Sequence, residues 1–395
     1  MVLTQRKIVD KRQKVKANTV QNQEMKKYCF QIGFILTLQI AAASLFTIGF
    51  LIIGTQQITR NNISAINESS FDRLIIIVVD AMRFDMGNSF PDLPDETTPE
   101  FINRVPLIHQ LLEQRPQQSA MYKFISDMPT VTTSRLKCIT TGAVPAFIDI
   151  GTSFSGSSIT EDNLLDQLVF GNRNTTEQEK QCQKNDKNIW VLGDDTWTQL
   201  YPSQNESSQC SVWSFIDVVP SFTVTAFHEN DRTVLRTLVP QILELKNKKH
   251  LIKPNWDAFI GHFLGIDHIM HVKTLKNYQY NPDLSVKIDQ IDSVLRILVD
   301  FIDREEQEII QEEIKKRQNK EYSHNNNKQL RKGTLLCVFG DHGMTEEGTH
   351  GGQNREETDA TLFLYSPKPL IAFTTQNEIV DLNVLRNWNK MKSDG

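Results

Sequence analysis

LLCVFGDHGM, residues 335–344, joins a short apolar run to a group of polar residues. The run at residues 335–339 carries no charge and ends at Gly340, a pattern typical of a buried strand. Similar runs rich in Ile, Val, Leu and Phe lie earlier in the chain, at residues 74–79, 188–192 and 256–263. These four runs predict a largely parallel sheet with helices on both faces, and therefore an α/β fold.

An aspartate lies at or just after the end of each of these runs. The four residues are Asp80, Asp194, Asp267 and Asp341. In an open α/β sheet the carboxyl ends of parallel strands meet at one edge, and ligands collect there. We therefore expect the aspartates to lie close together at a functional edge of the sheet.

The charge of the chain is unevenly distributed. The 395 residues carry a net charge of -5, which gives no reason to expect a nucleic-acid partner. Residues 1–28 nevertheless carry eight basic and two acidic side chains, a local charge of +6. This basic segment directly precedes a long hydrophobic one.

Residues 29–54 contain no charged side chain over 26 positions, more than the roughly 20 residues that a helix needs to cross a bilayer. A cleaved signal peptide is the alternative, but its apolar region spans only about 7–15 residues. The pattern favours a retained transmembrane signal anchor. The basic flank then predicts a cytosolic tail at residues 1–28, with everything after residue 54 on the far side of the membrane.

Beyond the anchor, one catalytic domain is predicted at residues 70–375. Residues 303–332 turn to Glu, Lys, Gln and Asn and predict a charged, solvated insert. Residues 376–395 form a C-terminal tail.

Glycosylation sequons and cysteines fit a protein of the secretory pathway. Four Asn-x-Ser/Thr sequons follow the anchor, at Asn62, Asn67, Asn174 and Asn205. Cys182 and Cys210 could pair in an oxidising lumen, whereas Cys138 and Cys337 lie in apolar contexts that predict buried thiols. No cysteine spacing suggests a zinc finger.

Several motifs in the same order resemble one known family. They include IVVDAMRFD at 77–85, MPTVTTSRLK at 128–137, GHFLGIDHIMH at 261–271 and GDHGM at 340–344. The chain is similar in them to the catalytic domain of the GPI ethanolamine phosphate transferases, a branch of the alkaline phosphatase superfamily. TTG at 140–142, PAFID at 145–149, EDNL at 161–164, GDDTW at 193–197 and ETDA at 357–360 favour the type that acts on the third mannose (PIG-O type). The resemblance covers roughly residues 70–370 and implies an alkaline-phosphatase-like, mixed but mostly parallel sheet.

The resemblance implies two zinc ions, which can clamp the attacking and leaving oxygens of a phosphoryl transfer when they lie about 4 Å apart. Zinc prefers histidine nitrogen and carboxylate oxygen, and the motifs supply two matching sets. The first ligand set is Asp80, Asp341 and His342, together with the nucleophile. The second ligand set is Asp267, His271 and His350. His268 lies between two members of the second set, and we expect it to support them rather than to bind metal.

The nucleophile is one of three neighbouring hydroxyls. A free threonine hydroxyl reacts slowly, so the mechanism needs a metal to activate it. Counting back from Thr141-Gly142, as in related phosphodiesterases, favours Thr132 as the catalytic residue and as a metal contact. Thr130 is the first alternative, and Thr133 follows.

By the same resemblance, Thr132 takes phosphoethanolamine from phosphatidylethanolamine and passes it to a mannose of the GPI precursor glycolipid. The expected location is the endoplasmic reticulum membrane, with the catalytic domain in the lumen, and a PIG-F-like membrane subunit is a possible partner. Family members continue into many further membrane helices, whereas this sequence stops at Gly395 without a second apolar span.

Two other functions share these motifs. One is a secretory-pathway nucleotide pyrophosphatase or phosphodiesterase, which would release its product to water; the PTVT and FIDIG stretches argue against it. The other is an inactive paralogue that serves only as a binding module. Such a paralogue is expected to have lost metal ligands, but all six are present.

Overall fold

The structure is a computed structural model, in which the chain divides into two compact units. One unit comprises Met1–Gln57 with Ala146–Ile148, and the other comprises Ile58–Pro145 with Asp149–Gly395. The structure describes residues 2–47, 71–90, 99, 101–144, 158–159, 161–170, 187–202, 211–221, 227–247, 255–273, 281–318 and 332–370.

The larger unit is built on one sheet of seven strands. In chain order these are β1 (Arg73–Val79), β2 (Ser119–Ile125), β3 (Ile189–Asp194), β4 (Trp213–Val219), β5 (Ala258–Phe263), β6 (Thr334–Phe339) and β7 (Asp359–Tyr365). Across the sheet the order is β2-β7-β6-β1-β5-β3-β4. The five strands from β6 to β4 run parallel, whereas β7 pairs antiparallel with both β6 and β2.

One helix precedes these strands in the chain, and others lie between them. The first, α1 (Val2–Thr47), lies in the smaller unit, and the others are α2 (Phe84–Gly87), α3 (Pro106–Gln114), α4 (Thr132–Thr141), α5 (Leu164–Phe170), α6 (Thr196–Leu200), α7 (Glu229–Asn247), α8 (Gly265–Val272), α9 (Pro282–Gln318) and α10 (Arg355–Thr358).

Strand β1 is central and buried on both faces. Because side chains alternate along a strand, Ile75 and Ile77 pack into one apolar cluster while Ile76 and Val78 pack into another. The first cluster contains apolar residues of α3, α7, α8 and α9, and the second contains those of α4, α5 and α6. Helices therefore cover both faces, which confirms the predicted fold class.

The four apolar runs all form strands, within two residues of the predicted starts and ends. Strands β2, β4 and β7 were not predicted. Two of them, β2 and β4, lie at the edges of the sheet, and their polar and exposed positions interrupt the apolar pattern. The two antiparallel pairs make the sheet mixed rather than wholly parallel.

Helix α1 has the length and composition of a membrane span. Its segment Gln21–Phe46 covers 26 residues with a mean hydropathy of 1.8 and is not buried in the structure. Within the described residues it is the one helix that satisfies both conditions. Residues 48–54 of the predicted anchor lie outside the described residues.

Part of the predicted insert 303–332 belongs to α9, and residues 319–331 lie outside the described part of the chain. Glu305 and Ile309 on this helix are buried. Cys138 and Cys337 are buried thiols, as predicted, and burial raises the pKa of Cys337 to about 12. The four sequons and the pair Cys182 and Cys210 lie outside the described residues.

Candidate metal centre

The predicted ligands meet at the carboxyl edge of three neighbouring strands. Asp80 follows β1, whereas Asp267 and His271 lie on α8 directly after β5. Asp341 and His342 follow β6. Because β6, β1 and β5 are adjacent and parallel, residues far apart in the sequence come together at this edge.

The first ligand set surrounds the Nε2 atom of His342. This atom lies 3.3 Å from Asp80 Oδ1 and 3.6 Å from Asp341 Oδ2. Thr132, the first residue of α4, places its hydroxyl oxygen 3.3 Å from Asp80 Oδ2 and 3.4 Å from His342 Nε2. The Asp80, Asp341 and His342 side chains are buried, and Thr132 is half-buried.

The second ligand set surrounds Oδ1 of Asp267. That oxygen lies 3.3 Å from His271 Nε2 and 3.7 Å from His350 Nε2, and the two imidazole nitrogens are 3.1 Å apart. The His350 ring also stacks on His342, with ring centroids 4.2 Å apart. Ligand atoms of Asp80, Asp267 and His342 lie within 4.8 Å of one another, so the two sets adjoin.

All three histidines are oriented through the main chain. Nδ1 of His271 lies 2.9 Å from the carbonyl of Gly348, and Nδ1 of His342 lies 2.8 Å from the carbonyl of Gly343. Nδ1 of His350 lies 2.7 Å from the carbonyl of Thr130. A carbonyl only accepts, so each Nδ1 carries a proton, and in the neutral ring each Nε2 presents a lone pair toward the carboxylates, where a cation can accept it. This is the arrangement of metal-binding histidines.

Buried carboxylate oxygens without a donor show that the donor set fits cations. Oδ1 of Asp80, Oδ1 of Asp267 and Oδ2 of Asp341 accept no hydrogen bond within the part of the chain that the structure describes. In contrast, Oδ1 of Asp341 accepts from the backbone amides of Ala81 and His342 at 3.3 and 2.9 Å. The protein thus fixes one oxygen of Asp341 and leaves the other for a cation, and oxygen and imidazole donors suit zinc.

Burial and nearby negative charges together raise the pKa of Asp80. Burial is the largest cause, followed by the negative charges of Asp341, Asp267 and Asp194. The hydrogen bond from Thr132 acts weakly in the other direction. A carboxylate in such surroundings remains ionised only when positive charge is supplied nearby, which bound metal would do.

In the second ligand set the histidines supply part of that charge. Burial raises the pKa of Asp267, but a protonated His271, which could donate to it across 3.3 Å, and the charges of His350 and His342 outweigh burial and lower it. The hydrogen bond to Asp267 in turn raises the pKa of His271, whereas burial and the charge of His342 lower that of His350.

Tight backbone packing holds the loop that carries Asp341 and His342. A Cβ atom at Gly340 would lie 2.2 Å from the carbonyl oxygen of Met82, and one at Gly343 would lie 2.0 Å from that of Glu356. Ala81, next to Asp80, has a positive φ of 60°, a strained conformation for a residue with a side chain. Close packing of the backbone therefore fixes the positions from which Asp80, Asp341 and His342 project.

The three candidate hydroxyls have different surroundings. Thr130 is fully buried, and its hydroxyl donates to the carbonyl of Gly352 at 3.0 Å and accepts from the amide of Gly351 at 2.8 Å. Both of these bonds hold the loop next to His350. Thr133 is half-buried, and Thr132 is the residue of the three whose hydroxyl contacts the first ligand set.

Within the described residues, no hydrogen bond joins His268 to either ligand set. Its Nε2 lies 3.0 Å from the carbonyl of Ser221, and its supporting role stays a prediction. Sequence reasoning missed another histidine, His262 on β5, which lies behind the first set and contacts Asp194 and Trp197. A buried histidine within an apolar strand, and the aspartate at the end of β3, were the available signals.

Comparison with curated proteins identifies relatives of one kind. The catalytic subunit of GPI ethanolamine phosphate transferase 3 from Homo sapiens is 31% identical over 314 residues, which is 78% of this chain and 23% of that protein. GPI ethanolamine phosphate transferase 3 from Saccharomyces cerevisiae is 32% identical over 358 residues, 87% of this chain and 28% of that protein. The chain spans about a quarter of the length of these relatives. No family model matches the chain.

Over the matched residues, the chain is a homologue of the GPI ethanolamine phosphate transferases, as its motifs predicted. Within that family, the relatives named above are of type 3. Among solved structures, a protein of the alkaline phosphatase superfamily from Vibrio parahaemolyticus aligns with a TM-score of 0.35 and 11% identity over 82% of this chain and 70% of that one.

Proposed function

We propose that this chain transfers ethanolamine phosphate from phosphatidylethanolamine to a mannose, the third, of the GPI precursor glycolipid. The names of the curated homologues support the reaction class. The observation that carries the proposal is the position of the Thr132 hydroxyl, 3.3 Å from Asp80 and 3.4 Å from His342. A hydroxyl beside two adjoining sets of side chains that can bind metal suits phosphoryl transfer.

The reaction proceeds in two displacements. The Thr132 oxygen forms a bond to phosphorus while the bond from phosphorus to the glycerol oxygen breaks, and diacylglycerol leaves with a hydroxyl group. A mannose hydroxyl then attacks the same phosphorus, and Thr132 regains its hydroxyl. Each displacement exchanges one oxygen on phosphorus for another, so atoms and charge balance.

Each ligand set has a definite part in this scheme. Asp80, Asp341 and His342 would hold one zinc ion, and Asp267, His271 and His350 would hold the other. Bound zinc would lower the pKa of the attacking hydroxyl and balance negative charge on the phosphate oxygens. Thr132 stands at the first position of α4, where free backbone amides and the helix dipole favour an anionic phosphate.

The proposed setting is the lumenal face of the endoplasmic reticulum membrane. Helix α1 serves as the anchor, with the basic residues 1–28 in the cytosol and the catalytic unit in the lumen. Both substrates carry acyl chains, so an anchored enzyme meets them at high effective concentration. A PIG-F-like membrane subunit is the proposed partner.

The test uses the full chain in detergent with phosphatidylethanolamine labelled in its ethanolamine. We expect the wild type to form a labelled adduct that peptide mass spectrometry maps to Thr132. Thr132→Ala should lose both the adduct and transfer, while Thr132→Ser should keep part of the rate because the hydroxyl is the reacting group.

Thr133→Ala is the matched control, since Thr133 is the neighbouring hydroxyl on the same helix. It should keep the adduct. An adduct on Thr130 or Thr133 would contradict the choice of nucleophile, and label released only as free phosphoethanolamine in the presence of the acceptor would indicate a hydrolase.

A further inference from the structure

His262 forms a buried group with residues of the neighbouring strand and helix. Its side chain is fully buried on β5, and its Nδ1 lies 3.0 Å from Asp194 Oδ2 at the end of β3. The indole Nε1 of Trp197 on α6 donates to the same Nδ1 at 3.2 Å. All three side chains are 0% exposed.

The other ring nitrogen of His262 faces the first ligand set. A ring nitrogen of His262 lies within 4.8 Å of a carboxylate oxygen of Asp80 and of one from Asp341. Because Nδ1 is in contact with Asp194 and Trp197, Nε2 is the nitrogen left to face them. Nε2 is buried and has no hydrogen-bond partner within the described residues, and the same holds for Asp80 Oδ1 and Asp341 Oδ2. One nitrogen and two carboxylate oxygens therefore meet in a small buried space.

The contacts at Nδ1 determine what Nε2 can do. The Trp197 indole is only a donor, so Nδ1 accepts, and a neutral ring then carries its proton on Nε2. If the ring is charged, Nδ1 donates a hydrogen bond to Asp194, and Nε2 carries a proton as well. The remaining tautomer would point a lone pair at two carboxylates, which is unfavourable unless a cation lies between them.

The fold holds this group rigidly. Gly193 has a φ of +101°, and a Cβ there would lie 2.1 Å from the backbone carbonyl of His262, so the two strands approach closely at this point. Oδ1 of Asp194 accepts from the amide of Thr196 at 2.8 Å, which fixes the carboxylate beside the ring. The ring of His262 is thus held from behind and can act only toward Asp80 and Asp341.

We propose that His262 is a positioning residue whose Nε2–H faces the carboxylates of Asp80 and Asp341 and, through its positive end, orients them for metal. This inference rests on the proposed zinc chemistry of the first ligand set. A donor behind the carboxylates reduces their mutual repulsion and selects which oxygens turn toward the cation. Groups that orient metal ligands in this way typically contribute a factor of about 10–100 in metal affinity.

The test compares His262→Gln with His262→Leu in the full chain in detergent. The Gln amide nitrogen reaches close to the position of Nε2 and donates, whereas Leu fills space without a donor. Zinc affinity is measured by chelator competition, and cobalt is substituted to record the ligand-field spectrum. We expect His262→Leu to bind metal about 10–100-fold more weakly with a changed cobalt spectrum, and His262→Gln to recover most of the affinity.

His109→Gln is the control, because His109 lies on α3, is partly exposed and pairs with Glu113, which belongs to neither ligand set. It should match the wild type. Thermal unfolding of the chelator-treated variants separates folding from metal binding.

Three results would overturn the inference. One is His262→Leu with the affinity and cobalt spectrum of the wild type. Another is loss of one bound ion in both His262 variants, which would make His262 a ligand of a third cation. The third is a zinc affinity of His262→Gln that is as low as that of His262→Leu, which would indicate a packing role. A wild type that binds no zinc would instead reject the proposed function itself.

Discussion

In the segment from Thr130 to Thr133, the hydroxyls of Thr130 and Thr132 make different contacts. Thr130 and Thr132 are two residues apart, yet Thr130 bonds to the loop at Gly351 and Gly352 while Thr132 points at the first ligand set. The main-chain carbonyl of Thr130 also orients His350. A loop-holding residue and the proposed nucleophile thus share one short segment.

Thr130 provides a prediction at this scale. Thr130→Val keeps the shape but leaves the Gly351 amide and the Gly352 carbonyl without their partner, so we expect a loss of roughly 1–3 kcal/mol in the free energy of unfolding. Thr130→Ser should stay close to the wild type. Urea denaturation of the chelator-treated chain measures both, and equal stability of the two variants would contradict the role given to the hydroxyl.

The residues that sequence reasoning found and those that it missed differ in a physical way. Asp341, His342 and His350 lie in a compact motif, so their proximity is local and readable. His262 was missed because it is a single residue within an apolar strand. It meets Asp194, which was expected at this edge, only because the sheet order places β3 beside β5. The pairing of strands is the information that the sequence did not carry.

At the scale of elements, α8 is positioned by a buried ion pair. Oδ1 of Asp231 accepts from the amides of Leu264 and Gly265, both at 3.1 Å, at the amino end of this helix. Its other oxygen lies 2.5 Å from Nζ of Lys287 on α9, and both side chains are 3% exposed. Helix α8 carries Asp267 and His271, so this pair sets the position of the second ligand set.

Lys287→Met tests this brace. The substitution leaves the Asp231 carboxylate buried without its counter-charge, so we expect a loss of roughly 3–5 kcal/mol in stability and weaker zinc binding. Asp289→Asn on the same helix breaks a more exposed pair with Arg104 and should cost no more than about 1 kcal/mol. Chemical denaturation measures the stability, and chelator competition measures the zinc affinity. A Lys287→Met variant as stable as Asp289→Asn would contradict the role given to this ion pair.

The elements themselves could be predicted where burial is complete. Strands β1, β3, β5 and β6 are central and parallel, and a strand buried on both faces shows as a continuous apolar run. The β2 segment SAMYKFI mixes polar and apolar residues because one part of it is exposed. Its antiparallel pairing with β7 depends on chain direction, which an apolar run does not encode.

At the scale of the whole molecule, stability and metal binding are coupled. The carboxylates around Asp80 repel one another in the chelator-treated chain, and metal that binds only the folded state stabilises it by mass action. Metal analysis should find about two zinc ions per chain. EDTA should lower the unfolding temperature, with a loss of about 4 kcal/mol for each ion if zinc had been present at 1,000 times its dissociation constant.

Calorimetry with and without EDTA measures this coupling. Restoring zinc should restore the unfolding temperature. Metal analysis that finds no zinc in the folded chain, or an unfolding temperature indifferent to EDTA, would contradict the two-ion site.

The proposed topology can be tested separately. If the catalytic unit is lumenal, protein made in a glycosylating cell should lose apparent mass on treatment with an N-glycosidase, because four sequons follow the apolar segment. Replacing the four sequon asparagines by Gln gives the control that should not shift. An unshifted wild type would contradict lumenal exposure.

The ligands at the carboxyl edge of the sheet also determine when the site can form during synthesis. Asp80 leaves the ribosome first, but His342 and His350 emerge only 262 and 270 residues after it. No nascent chain that ends before them holds a complete set of donors for either ion. Metal loading therefore has to wait for β6 and the loop that follows it, because a chain without these residues lacks donors to bind zinc firmly at this site.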